Sequence, residues 1–290
     1  MNSTIISAAS LLAMLPENPV ILDCRFSLQD PSAGEQQYLQ GHIPGAHYCS
    51  LDLDLSGPKR RHGGRHPLPD KQELASTFAH WGINRFSQVV IYDDSRMGFA
   101  ARAWWLLRAM GVQDVTLLNG GYQAWLKAGN PVDKRIPPAR ISQLKAPIAW
   151  PDTAHLEMVK EASASGNAVL IDSRESNRYL GLEEPIDPVA GHIPGAINKP
   201  WQEITDAEGF IQPDQYHYQR WSELDGSTPL IVYCGSGVTA CVNLLSLHLA
   251  GRDEALLYSG SWSDWCSYPD ADIAMGPLPT PQDPTLSALL

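Results

Sequence analysis

The sequence predicts an α/β protein made of two copies of one parallel-sheet unit, and three observations carry that prediction. The string GHIPGA occurs at residues 41–46 and again at 191–196. Short apolar runs (VILD, VVIY, VLID and LIVY) lack polar alternation, as expected of strands buried on both faces of a parallel sheet. Helical stretches separate these runs, giving the β-then-α order of a sheet covered by helices. Further landmarks recur in the same order: VILDCR with VLIDSR, VVIYDD with LIVYCG, and LNGGYQAW with YSGSWSDW. An ordered set of repeated landmarks implies two homologous halves.

The elements follow in turn. In the first half we expect a helix over Ala8 to Leu15, a strand over Val20 to Asp23 and a helix over Gln72 to Trp81 after Pro69-Asp70. A strand over Val89 to Tyr92 then leads into a helix over Ala100 to Met110, stopped by Gly111. The second half repeats this with a helix over Thr153 to Ala162, a strand over Val169 to Asp172 and a helix over Pro213 to Trp221. A strand over Leu230 to Tyr233 and a helix over Thr239 to Ala250, stopped by Gly251, complete it. The first domain is set at 1–133 and the second at 152–277. Pro137, Pro138, Pro147 and Pro151 make 134–151 a semi-rigid linker, and a proline-rich tail spans 278–290.

The chain has 290 residues and a formal charge of −11, which repels phosphate backbones and anionic lipid, so neither nucleic acid nor membrane is an expected partner. Its amino terminus has no Lys or Arg before Arg25, unlike a secretory signal, so a cytoplasmic location is expected. The cysteines, at 24, 49, 234, 241 and 266, number five and lack C-x-x-C spacing, which reads as free thiols and no metal site. A monomer is the default.

Chemistry is expected where a parallel strand ends and a helix begins, because backbone N–H groups and the helix dipole converge there. One such junction carries a nucleophile: Cys234, followed by Gly235-Ser236-Gly237-Val238-Thr239-Ala240. Both glycines are read as admitting positive φ, so that successive amides curl around the sulfur and favour a thiolate. The corresponding position after Tyr92 is Asp93, which offers no thiol.

These motifs, across nearly the whole chain, resemble the tandem rhodanese-domain sulfurtransferases. The resemblance implies two rhodanese-like domains, of which the second is catalytic and its Cys234 becomes a persulfide. CGSGVTA is similar to the loop of the 3-mercaptopyruvate sulfurtransferases rather than that of thiosulfate sulfurtransferases, which place basic residues after the cysteine. It further implies that Ser236 relays a proton with His66 and Asp52, Asp54 and His62 being alternatives, and that Arg178 binds the donor carboxylate. Gly235, Gly237, Val238 and Thr239 would line the donor site. A second arginine common in those enzymes is replaced by Ile186. No cofactor is implied, and the acceptor would be a thiol such as thioredoxin, or cyanide. Two other classes compete: a dual-specificity phosphatase, which needs an arginine where Ala240 stands, and a non-catalytic sulfur carrier.

The remaining residues read as structural. Asp23 with Arg25, and Asp172 with Arg174, are expected to bridge strand end to neighbouring loop; His42 and His192 belong to turns. Trp104, Trp105, Trp125, Trp262 and Trp265 fit the core or the domain interface, and Cys241 is expected to be buried. The basic run Lys59 to Arg65 reads as a solvated loop that could attract an anionic donor.

Overall fold

A computed structural model describes residues 3–278; the tail beyond it lies outside the described residues. The first half contains β1 (Ile5–Ile6), α1 (Ala8–Met14), β2 (Val20–Asp23), α2 (Ala33–Gln40), β3 (Ala46–Tyr48) and α3 (Lys71–His80), then β4 (Gln88–Tyr92), α4 (Ala100–Ala109), β5 (Asp114–Leu118) and α5 (Gly121–Lys127). Its strands form one parallel sheet in the order β1-β5-β4-β2-β3. The second half contains α6 (Leu156–Ser165), β6 (Val169–Asp172), α7 (Ser176–Tyr179), β7 (Ile197–Asn198), α8 (Asp214–Trp221), β8 (Leu230–Tyr233), α9 (Ala240–Leu249), β9 (Leu256–Leu257) and α10 (Ser261–Trp265). It forms a second parallel sheet, β7-β6-β8-β9, with the same internal order.

Helix starts follow local chemistry. The Ser7 hydroxyl accepts from Ser10 N at the head of α1, and Asp70 accepts from Gln72 N and Glu73 N at the head of α3. One expected start is wrong. Thr153 does not open a helix; it bridges in parallel to Leu257, occupying the edge place that β1 holds in the first sheet, and α6 begins only at Leu156 behind the His155 cap. Residues 134–151 form no helix or strand but are tied to the first half, where Arg140 N donates to His80 O and Ser142 N to Ala79 O.

The repeated motifs fold into one repeated latch. In each half the aspartate ending the central strand takes a forked ion pair from the arginine two residues on, 2.6 Å in both copies. That arginine also donates to the carbonyl opening GHIPGA, Gly41 at 2.8 Å and Gly191 at 2.6 Å. The tyrosine ending the next strand accepts from the motif isoleucine, Ile43 N or Ile193 N. His42 and His192 stack on Tyr38 and Tyr179, as turn residues.

The halves meet through α4 and α9. Both are buried on nearly every side, because each packs on its own sheet and on the other helix, and one apolar cluster runs from Val89 and Leu106 through to Val232 and Leu245. The loops feeding these helices therefore open at the seam between the halves.

Candidate active site

The two loops are copies with opposite contents. In the first, the Asp93 carboxylate is enclosed and accepts four backbone N–H bonds, from Ser95, Met97, Phe99 and Ala100, at 2.8 to 3.0 Å. Burial pushes this carboxyl up and those N–H groups pull it down. Here the anion-binding nest is filled by the chain itself. In the second, Cys234 directly follows β8, is buried, and its N–H donates to the Ser261 hydroxyl at 3.1 Å. The expected wrap of amides around the sulfur is not formed: among the described residues no N–H bonds to Cys234 Sγ.

The glycine reading is also corrected. Only Gly237 adopts positive φ, at +76°, and a Cβ there would stand 2.3 Å from the Ser259 carbonyl oxygen. Gly235 lies outside that region and stands beneath two guanidiniums. A Cβ on it would lie 3.0 Å from Arg65 Nη2 and 3.4 Å from Arg178 Nη2.

Cys234, Gly235, Ser236, Val238 and Thr239 line a cavity of about 360 Å³ together with Phe26, Leu51, Arg65 and Phe99 of the first half and Arg178, Ile186 and Trp201 of the second. Ser236 Oγ lies 2.8 Å from His66 Nδ1, and His66 Nε2 lies 3.4 Å from Asp52 Oδ1. The nearby Asp52 carboxylate favours a ring proton on Nε2, and in that tautomer Nδ1 accepts from the Ser236 hydroxyl. Burial first, then Arg102, Arg65 and Lys59, pushes His66 down to about 4, so the ring is neutral at physiological pH. Partial burial pushes the Asp52 carboxyl up. The alternative pair lies elsewhere: Asp54 accepts from Ser50 N, and His62 contacts Ser267 Oγ and stacks on Tyr268.

Arg178 reaches the cavity already paired. It forks onto Glu184 at 2.7 to 3.1 Å and touches Asp187 at 3.3 Å. Burial would raise the Glu184 carboxyl, but the Arg178 bonds and the Asp187 and Ile186 N–H groups outweigh it and hold Glu184 below its usual range.

Three residues escaped the sequence reading. Arg102 of α4 is wholly buried, donates to Gly237 O at 3.1 Å and to His66 O at 3.3 Å, and has no carboxylate partner among the described residues. Its signal was a single cation inside the apolar run Ala100 to Leu107. Glu184 and Asp187 were foreshadowed by the acidic run after Arg178. The basic run also departs from expectation: its exposed part ends at Arg61, and residues 62–65 dock on the second half.

A buried cysteine just after a strand end, near a hydroxyl–imidazole–carboxylate chain on a duplicated parallel-sheet scaffold, is the layout of a two-domain group-transfer enzyme. Sequence profiles of the Rhodanese-like domain match residues 7–128 and 155–268, and the chain belongs to this family of sulfurtransferases. It is 44% identical over 285 residues to a Pseudomonas aeruginosa protein described as "Probable 3-mercaptopyruvate sulfurtransferase", covering 95% of this chain and 99% of that one. It is 32% identical to the thiosulfate sulfurtransferase of Gallus gallus, covering 84% of this chain and 85% of that one. Among solved structures, SseA of Escherichia coli, described among 3-mercaptopyruvate sulfotransferases, matches with TM-score 0.79 and 29% identity, covering 90% of this chain and all of that one. Among the described residues no helix is long and apolar enough to cross a membrane.

Proposed function

We propose that the protein moves sulfur from 3-mercaptopyruvate to an acceptor thiol, such as thioredoxin, or cyanide, through a persulfide on Cys234. The observation that carries this reading is the contact between Ser236 and His66, backed by Asp52. Removing sulfite from thiosulfate needs no proton, so a proton relay beside the nucleophile would be idle with that donor. Removing sulfur from mercaptopyruvate needs one. The Cys234 thiolate attacks the donor sulfur, the carbon–sulfur bond breaks, and its electron pair leaves as the enolate of pyruvate. The donor thiol's proton then passes through Ser236 and neutral His66 to the enolate carbon, leaving the persulfide anion and pyruvate. An acceptor thiolate attacks the outer sulfur and returns Cys234 as thiolate.

Arg178 holds the donor carboxylate, and Gly235, Gly237, Val238 and Thr239 shape its pocket. The dual-specificity phosphatase reading fails on Ala240, which offers no guanidinium to a phosphate. Five free cysteines fit a reducing compartment such as the cytoplasm. Limits of 1–133 and 152–277, joined by 134–151, and a monomeric state complete the reading.

Steady-state pyruvate release from 3-mercaptopyruvate, compared with sulfite release from thiosulfate, tests it. We expect kcat/KM at least about tenfold higher for mercaptopyruvate, with Arg178→Ala removing most of that advantage. A preference for thiosulfate in the parent protein overturns the donor assignment.

A further inference from the structure

After β7 the second half sends a segment back onto the first. It makes a short 3₁₀ turn at Trp201–Ile204 and then a tight turn in which Asp206 N donates to Phe210 O at 2.8 Å. Ile211 N of this segment donates to Asn119 Oδ1 at 2.8 Å, and Glu208 pairs with Lys127 Nζ at 2.7 Å. The Lys127 pair is exposed on both sides, so it contributes little. Arg96 makes the denser attachment. Its Nε donates to Thr205 Oγ1 at 2.8 Å, and its Nη2 donates to Thr205 O at 3.0 Å and to Gln202 O.

Arg96 stands in a turn that residues with a Cβ avoid. Its φ is +58° and that of Met97 is +67°, two consecutive left-handed residues without a glycine. Such a turn persists only where its surroundings hold it. From inside, Asp93 Oδ1 accepts from Ser95 N at 2.9 Å and from Met97 N at 3.0 Å. From outside, Arg96 is held by the segment of the second half. The residues beside these anchors face the nucleophile: Ser95, Gly98 and Phe99 line the cavity of Cys234, and so does Trp201, which precedes Gln202. The two walls touch, since a Cβ on Gly98 would stand 3.4 Å from the Trp201 ring.

We propose that Arg96 is a positioning residue, a strained brace that fixes the Trp201 wall against the Gly98 and Phe99 wall and so sets how wide the cavity opens over Cys234. Its bonds bypass the walls themselves and act on the backbone that carries Trp201. The inference rests on the reading of Cys234 as the reactive thiol, and it adds a limit on the size of what reaches that thiol.

Arg96→Ala keeps the left-handed strain and loses the bonds, Arg96→Gly loses both, and Lys127→Met removes the exposed pair on the same segment as a control. Alkylation at Cys234, followed by peptide mass, compares iodoacetamide with its fluorescein conjugate, a small and a bulky reagent of one chemistry. In both Arg96 variants the bulky-to-small rate ratio should rise about fivefold or more, and kcat/KM for 3-mercaptopyruvate should fall about fivefold or more. Lys127→Met should match the parent in both. The thermal midpoint of Arg96→Gly should lie above that of Arg96→Ala, because glycine takes a φ of +58° without strain. A kinetic defect shared by two variants of different stability then follows the lost bonds. A rate ratio within about twofold of the parent in both Arg96 variants, or the reverse order of midpoints, overturns the brace. A raised ratio in the variants, with a parent that releases no pyruvate from mercaptopyruvate, would instead overturn the donor reading and leave the brace standing.

Discussion

In the proposed function Cys234 and His66 carry the chemistry at the scale of single side chains, and each makes a separable prediction. Cys234→Ser should keep the fold, since oxygen replaces sulfur with little change in volume, and should lower sulfur transfer at least about a hundredfold, about 2.7 kcal/mol of barrier. Mass spectrometry of the parent after donor treatment should find one added sulfur atom on Cys234, removed by dithiothreitol; finding it on Cys24, Cys49, Cys241 or Cys266 would refute the assignment. His66 yields a pH dependence. Its pKa falls from 6.5 when unfolded to about 4 when folded, so the unfolded chain binds the extra proton between those values. Stability therefore rises with pH through that window and is lost as pH falls from 6.5 toward 4. Urea unfolding at pH 7 and at about pH 5 should show a smaller acid loss in His66→Gln than in the parent. The candidate nucleophile was legible because a thiol at a glycine-flanked strand end is a local pattern. The pairing of Arg65 with Asp187 was not, since it depends on two distant segments docking.

The strand-to-helix loop is the element that the two halves share, and it shows where local patterns mislead. Gly235 and Gly237 looked alike, yet only Gly237 takes a positive φ, and Gly235 stands beneath two guanidiniums. The same blindness applies to Thr153, which lies in a stretch read as helical but pairs with Leu257 from the far end of the chain. Strands β2, β4, β6 and β8 were legible because full burial leaves an unbroken apolar run; two-residue edge pairings leave almost no trace. Two variants test the loop. Gly237→Ala must move Ser259 or abandon φ of +76°, and should cost about 1 to 3 kcal/mol in urea unfolding together with most of the activity. Asp93→Ala strips the partner from four enclosed N–H groups and should destabilise by about 3 kcal/mol or more, measured the same way.

Across the whole molecule, the proposed site is assembled at the seam. Ser236 and Cys234 come from one half, and His66 and Asp52 from the other. Arg102 ties the two by donating to Gly237 O and His66 O at once. A buried guanidinium served only by carbonyls is expensive to desolvate, which lowers its pKa. Arg102→Met should therefore lower kcat by about tenfold or more while shifting the thermal midpoint far less than the loss of a structural ion pair would. Parallel assays and melting curves check this, and a large fall in midpoint with kcat retained would count against it. The duplicated sheets were readable from repeated strings, whereas the α4–α9 contact left only a hint in the all-round apolarity of both helices.

Asp93 gives the first copy a closed loop. Four N–H groups that could otherwise receive an outside anion are all taken by one internal carboxylate. An anion arriving from solvent therefore finds no vacant amides in this half, and the loop instead pins the start of α4 to the end of β4.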